Sequence, residues 1–451
     1  MSRYDVIIVG AGIAGASAAY FLSFSDLRVA IVEAKPWERV GDKPCADAMG
    51  KHHFDHLGLP YPKGKELEGY VKGVFLYSPS LKTVFKVKGD GFEINRIKYT
   101  QGLLSKALNK GAEFFGRHQA LRPILEKGKV VGIKVRNLSS GEVFDIKANV
   151  VIDASGNSRA IVRHLPKDWP VSEPADPKDY VIAYREVYEL SKPVDEPEYI
   201  RIYLSNKVAP GGYWWLFPKS LIDVVNVGLG VQYGVGNPHP KTLFDKYIKN
   251  IPELSGAKLI EAGGALVPTC KPLDSLVWDG IAVIGDAAYT VNPVHGGGKG
   301  SSAIAAKCVA DAVIRAHDVG NFSAKGLWNA NLCYIENYGR KQAKLDIFRI
   351  FLQKLSDDDL EYAMKHRIVK EEDILEASYK GVLKMSVVDK ALRVIAGLGK
   401  PSLLFKLKTV IEFMNKVSDL YSNYPRNPKE LNAWRLRLKE TYAKFSEVLG
   451  K

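Results

Sequence analysis

The chain has 451 residues, 46% hydrophobic and 25% charged, with a formal net charge of +14. That length holds two or three domains with sizeable cores, and that composition excludes a disordered or collagen-like chain. The four cysteines, Cys45, Cys270, Cys308 and Cys333, form no CxxC pair, which excludes the usual zinc and iron–sulfur frameworks and points to a reducing cytosol.

The first element is a short Val- and Ile-rich run, Tyr4 to Val9. Gly10-Ala11-Gly12-Ile13-Ala14-Gly15 follows, then helix-forming Ala16 to Leu22, then a second β-like run from Val29 to Val32 that ends in Glu33. Each glycine meets a steric need. Gly10 makes the tight turn, Gly12 lets backbone approach a pyrophosphate, and Gly15 lets the helix pack on the sheet. The helix N-terminus offers unpaired N–H groups and the positive end of its dipole to phosphate, and Glu33 can accept from ribose hydroxyls. The stretch reads as a dinucleotide-binding βαβ unit. Val6 to Phe24 carries no charge and is long enough to span a bilayer. Its clustered glycines and the lack of a basic flank or stop-transfer pattern read instead as a buried unit, with no signal peptide.

Cys45 lies in Lys43-Pro44-Cys45-Ala46-Asp47-Ala48-Met49-Gly50, just past the second strand. It is either a thiol set against a redox centre or a small buried hydrophobe. His52, His53 and His56 lack further ligands at metal-binding spacing and read as solvated or capping residues; no metal site is expected. Gly73 to Tyr77 and Thr83 to Val87 form a hairpin, and Phe92 to Arg96 leads into a helix from Tyr99 to Lys110. Arg96 there either clamps a phosphate or cofactor edge or sits on the surface. A second hairpin, Val130–Arg136 with Val143–Ile146, precedes Val150-Val151-Ile152 and then Asp153-Ala154-Ser155-Gly156-Asn157-Ser158-Arg159, again a buried strand ending in an acid and a glycine.

From Asp179 to Pro268 the runs alternate and turn signals separate them, as in an antiparallel sheet inserted into the first domain. At its centre, Pro210-Gly211-Gly212-Tyr213-Trp214-Trp215-Leu216-Phe217-Pro218 puts Tyr213, Trp215 and Phe217 on one face, either lining a pocket for a long apolar substrate or forming an ordinary aromatic core. The chain then returns to the first domain through Gly280 to Ala288, where Asp286 can bind a ribitol hydroxyl. Gly296-Gly297-Gly298, after Pro293 and His295, frees the N-terminus of a helix from Ser301 to about His317. His295 reads as positional.

Residues 320–451 are mostly helical, with one apolar stripe at Leu345, Phe348, Leu352 and Leu355 and another at Leu403, Leu407, Val410, Met414, Val417 and Tyr421. From Ala377 to Lys451 there are 15 Lys/Arg against 6 Asp/Glu, so the second stripe either lies on an anionic membrane or packs on the body with a solvated basic face. Cys308 and Cys333 fall on successive helices, where they are cross-linked or two buried thiols.

GAGIAG with Glu33, then DASGNSR at Asp153–Arg159, then GDAA at Gly285–Ala288 with Pro293 and the glycine run together resemble the FAD-binding fold of p-hydroxybenzoate hydroxylase. Within that superfamily, PGGYWWLFP followed by Gly228-Leu229-Gly230 is similar to the signature of geranylgeranyl reductases, and KPCADAMG resembles their cysteine loop, with Ala46 where a glycine is more usual. The resemblance implies an α/β architecture. A Rossmann-like FAD-binding domain (1–60, 95–165 and 275–320) carries an inserted antiparallel substrate domain (61–94 and 166–274), and a helical region (321–451) follows. It implies an FAD-dependent oxidoreductase acting on CH–CH groups, which saturates the isolated double bonds of geranylgeranyl chains on a diphosphate or glycerophospholipid. The cofactor-binding residues are then Gly10, Gly12, Gly15, Glu33, Arg96, Asp153, Gly156, Asp286, Gly296, Gly297 and Gly298. Tyr213, Trp215, Phe217, Gly228 and Gly230 line the substrate channel, and Cys45 stands at the catalytic centre. The implied partners are a prenyl lipid or prenyl diphosphate, an external electron donor that is ferredoxin-like or a nicotinamide, and an anionic membrane at the cytoplasmic face, with no nucleic acid. A flavin monooxygenase or halogenase on the same fold, and a non-catalytic lipid-binding flavoprotein, are the alternatives.

Overall fold

A computed structural model describes residues 4–380 and 400–450, arranged around two sheets. In the first sheet, Tyr4–Val9 lies at the centre and pairs in parallel with Val29–Glu33 on one side and Val143–Asp153 on the other. Glu113–Gly116 and Ile281–Val283 extend it in parallel at either side, and Val277–Trp278 closes one edge antiparallel. A strand covered on both faces must be apolar throughout, which is why Val6 to Val9 has no alternation and is wholly buried. The glycine-loop helix, Ile13–Leu22, packs against the long helix Lys299–Asp318. The strand Val143–Asp153 serves twice, since its first half pairs antiparallel with Lys129–Asn137, itself paired with His118–Glu126.

The second sheet runs in the order Lys258–Pro268, Tyr180–Glu189, Val224–Gln232, Tyr213–Lys219, Tyr199–Tyr203, Leu67–Tyr77, Val84–Ile94 and Ala48–Gly50. All its pairs are antiparallel except Tyr199–Tyr203 with Leu67–Tyr77. Ala48–Gly50, directly after Cys45, joins this sheet, so the cysteine loop bridges the two sheets. The hairpin expected over Gly73–Val87 is longer at both ends. Its second strand continues through Glu93, and the following helix starts at Arg96, because Asn95 caps it by accepting from the Lys98 amide.

The helical region supplies the remaining layer, although residues 381–399, part of the stretch read as mostly helical, lie outside the described residues. Leu403, Leu407, Val410, Met414, Val417 and Tyr421 are all buried in the main core along the helix Pro401–Ser422, and Leu345 and Leu355 are buried as well. Of the two readings of the second stripe, the packed helix is the one formed. Cys308 and Cys333 form a disulfide, joining Lys299–Asp318 to Asn329–Tyr334. Spacing alone leaves that pairing open, and a bridge is not what a reducing compartment favours. Among the described residues no helix is long and apolar enough to cross a membrane; Val6–Phe24 is divided between a strand and a helix.

Candidate active site

The glycine turn has the contacts its residues require. A Cβ on Gly15 would fall 1.9 Å from the Gly10 carbonyl oxygen, so only glycine lets the helix seat there. Gly10, at φ +95°, lies against Ala154 of the DASGNSR segment. A Cβ on Gly12 would meet no protein atom within 4 Å, so the approach to the helix N-terminus is free of side chain. Glu33 accepts from the amides of Ala11 (2.7 Å) and Lys35 (2.8 Å), which fixes its carboxylate at the end of the second strand.

Asp153 is placed differently from the sequence expectation of a cofactor contact. It is 0% exposed and accepts from Ser155 N and Oγ and from the amides of Ile161 and Val162. Its carboxylate is occupied in shaping the loop that presents Gly156, whose φ is +66°. Arg159 ties that loop to the GDAA turn, donating to the Ala287 carbonyl at 3.0 Å and lying over the Tyr289 ring. Asp286 pairs with Lys43 from the cysteine loop. Gly296 is at φ +67°, and Gly298 caps the helix Lys299–Asp318 beside Asp286. Arg96 has a buried Nε with no hydrogen-bond partner.

The donor set and the clear approach at Gly12 fit a dinucleotide with a flavin end. Asp286 and Gly298 lie together at the start of the helix Lys299–Asp318, and the charge of Arg96 acts on the nearby Cys45 thiol.

The second sheet brings a different chemistry to the same place. Tyr213, Trp215 and Phe217 share a face, as their alternation predicts. Each lies opposite a small or polar residue: Tyr213 faces Gly230, Trp215 faces Gly228, and Phe217 faces Asn226. A Cβ on Gly228 would fall 2.5 Å from the Trp215 ring, so that glycine is the bed on which the indole lies. Trp215 is only 7% exposed and packs with Val71, Ile200 and Phe217, against Ala46 and Ala48 of the cysteine loop. The face is therefore an aromatic core that abuts the cysteine loop. Trp215 Nε1 donates to Asn226 Oδ1 (3.0 Å), and Asn226 Nδ2 donates to the Cys45 carbonyl (2.7 Å). The Tyr213 hydroxyl donates to the His295 carbonyl (2.6 Å), joining the sheet to the glycine run.

Cys45 is half-buried, and Lys299 Nζ lies 3.2 Å from its Sγ and 3.2 Å from the Ala48 carbonyl oxygen. Burial opposes ionisation of the thiol, but the Lys299 ammonium, helped by Arg96 and the Asp47 amide, outweighs burial and the Asp47 carboxylate, so its pKa lies below the ordinary value. The departure at Ala46 is accommodated because the left-handed conformation falls on its neighbour Asp47, at φ +70°, and not on Ala46.

Lys299, Asn226, Arg159 and Glu93 escaped the sequence reading. Lys299 carried a signal, since a lysine in the first turn of a helix opposes the dipole and needs another reason to be there. His52 and His53 are half-buried and not solvated: their rings lie 4.0 Å apart, tilted by 40°, burial lowers His52 to about 4, and His53 lies against Gly300. His56 is exposed and meets Asn337. Burial, with Lys341, lowers His295 to about 4. Among the described residues no group of three His, Cys, Asp or Glu side chains could hold a metal ion.

Family models match two parts of the chain: an FAD binding domain over residues 5–40 and 95–176, and a geranylgeranyl reductase catalytic domain over residues 179–267. The second match covers the aromatic strand and its glycine partners. Over the whole length the chain is 50% identical to the digeranylgeranylglycerophospholipid reductase of Sulfolobus acidocaldarius, covering 99% of both proteins. It is 33% identical to that of Methanothrix thermoacetophila, covering 85% of this chain and 96% of the relative. A geranylgeranyl bacteriochlorophyll reductase-like protein from Thermoplasma acidophilum has the same fold, with a TM-score of 0.76 and 25% identity over 91% of this chain and all of that one. The myxobacterial chondrochloren halogenase, at TM-score 0.65 and 19% identity over 88% of this chain and 98% of that one, shares the fold alone. FAD is accordingly the cofactor, and the chain belongs to the digeranylgeranylglycerophospholipid reductase family.

Proposed function

We propose that this chain saturates the isolated double bonds of geranylgeranyl chains carried on an archaeal-type glycerophospholipid or on a diphosphate. The observation that carries this reading is the junction at Cys45, where the Trp215–Asn226–Cys45 hydrogen bonds tie the aromatic face to the cysteine loop and Lys299 ties that loop to the helix after the glycine run. Bound reduced FAD supplies the hydride. An isolated alkene offers no carbonyl to polarise, so the chain must exclude water and hold the double bond in place, which suits Tyr213, Trp215 and Phe217 against small Ala46, Ala48, Gly228 and Gly230. Gly10, Gly12, Gly15, Glu33, Arg96, Gly156, Asp286 and Gly296–Gly298 hold or admit the cofactor, and Asp153 shapes the loop behind it. Cys45 holds the proton for the second alkene carbon, with Lys299 stabilising the thiolate left behind.

The electron donor is an external reductant, since the chain has no second glycine fingerprint for a nicotinamide. Contact with an anionic membrane surface falls to Phe405, Lys406 and Lys408, exposed on the helix Pro401–Ser422 whose apolar stripe faces the core.

Anaerobic incubation of the photoreduced protein with a geranylgeranylated glycerophospholipid and with geranylgeranyl diphosphate, read by mass spectrometry, tests the reading. A gain of two hydrogens per double bond is expected with at least one of them. No mass gain, with oxygen-dependent hydroxylation or halogenation instead, would overturn it.

A further inference from the structure

One buried acid beside the cysteine loop has no hydrogen-bond partner among the described residues. Glu93 is 0% exposed, and neither carboxyl oxygen has a hydrogen bond. It lies directly across from Ala48 on one side and from Gly69 on the other. Ala48 is the residue whose carbonyl shares the Lys299 ammonium with Cys45 Sγ. Cross-strand partners point to the same face, so Glu93 projects toward the small residues Ala46 and Ala48 that pack under Trp215 and Phe217. We propose that Glu93, acting through Cys45, supplies the proton that completes alkene reduction.

An unpartnered carboxylate in such a position is prohibitively unfavourable, whereas a carboxylic acid can persist there. Burial drives the Glu93 pKa well above the ordinary glutamate value, against Lys219 and with Asp47, while Lys299 favours ionisation and Cys45 disfavours it. Each packed element contributes to that balance. Lys219, from the aromatic strand, is taken up by Glu68 and lies 4.0 Å from Asp47, and Lys299 is shared with the thiol. The acid is raised and the thiol is lowered, so burial and the neighbouring charges shift their proton affinities toward each other.

The inference rests on the reading of Cys45 given above, and its proton balance closes. The S–H bond of Cys45 breaks as a C–H bond forms at one alkene carbon. The O–H bond of Glu93 then breaks as the S–H bond re-forms, and solvent returns a proton to Glu93 after product leaves. Neither residue changes oxidation state; the electrons belong to the hydride side.

The test compares the FAD-loaded full chain with its Glu93→Gln variant. The wild type should show the carbonyl stretch of a protonated carboxylic acid in its infrared spectrum at neutral pH, and Glu93→Gln should lack it. Alkylation of Cys45 by iodoacetamide, followed against pH, should lose one of two inflections in the variant. The single-turnover rate with a geranylgeranyl substrate should fall on the order of a hundredfold with FAD content unchanged. If Glu93→Gln loses FAD, Glu93→Asp decides, with the acid band retained and a rate between the two expected. Wild-type turnover in Glu93→Gln, or identical infrared spectra, overturns the inference and leaves the reductase reading intact. A wild type that hydrogenates no prenyl chain overturns both.

Discussion

The two sheets meet at one site, and an acid on each is held in a different way. At the ends of the parallel strands Glu33 is held by two backbone amides, Asp153 by four donors, and Arg159 by the carbonyls of Ala287 and Val171. In the antiparallel sheet Glu93 has no partner, and Arg185, 5% exposed, has two unpartnered nitrogens despite its bond to Glu261. The satisfied groups fix backbone, giving a large flexible cofactor a rigid seat. The unsatisfied ones keep their capacity for a proton or a ligand, at a cost in stability. Buried acids of the same chemical type thus have opposite uses, and the number of hydrogen bonds each makes separates them.

The comparison can be broken first at Gly12. A Cβ there meets no protein atom within 4 Å, so Gly12→Val should fold normally yet bind no FAD, since the added methyls occupy the phosphate approach. Flavin absorbance and melting temperature of the purified variant check this, and a yellow, fully loaded Gly12→Val protein would remove the parallel sheet from cofactor binding.

Asp153→Ala comes next. It leaves four donors without their acceptor, and the expected loss is about 4 kcal/mol of unfolding free energy by urea titration. A loss below about 1 kcal/mol would show that the loop holds without its acid.

At Glu93 the sign reverses. The folded chain keeps a proton that the unfolded chain releases above the ordinary glutamate pKa, so Glu93 favours folding least at high pH and its contribution worsens as pH rises from that value toward the folded one. The stability of Glu93→Gln relative to wild type should therefore increase with pH, by up to about 1.4 kcal/mol per pH unit for one proton. A difference that does not vary between pH 5 and 8 would mean that Glu93 is ionised in the fold.

The smallest effect is expected for Trp215→Phe, which keeps an aromatic ring but leaves Asn226 Oδ1 without its donor. A loss of about 1 kcal/mol and faster alkylation of Cys45 are expected, because Asn226 also holds the cysteine loop. Unchanged alkylation would uncouple the aromatic strand from the thiol.

Features fixed by local backbone demands were legible in the sequence. Gly10, Gly15 and Gly228 stand where a Cβ would strike another atom, and such needs appear directly as glycine. Alternation likewise placed Tyr213, Trp215 and Phe217 on one face. What the sequence could not express was the covering partner. The periodicity of Leu403 to Tyr421 defines a stripe without saying that the core covers it. The motif located Asp153 without disclosing that its own loop takes up the carboxylate. Glu93 was hidden because its strand was read as ending before it, and register irregularities after Leu67 and Val71 shift the pairing of the hairpin. A glutamate near a helix start reads as a solvated residue until a neighbouring strand encloses it.

The threading of the chain governs how it can be made. Ile281 pairs with Val151 in one sheet, and Tyr199 pairs with Gly73 in the other. Neither sheet can close from a continuous stretch, and the first is incomplete until the strand Ile281–Val283 has been synthesised. A nascent chain halted before that strand leaves the edge of Val143–Asp153 unpaired, open to association with other chains. Distant pairings of this kind lose loop entropy before any contact rewards it, so refolding should be slow and concentration-sensitive, and the enzyme's yield in a cell depends on how well unfinished chains are kept apart.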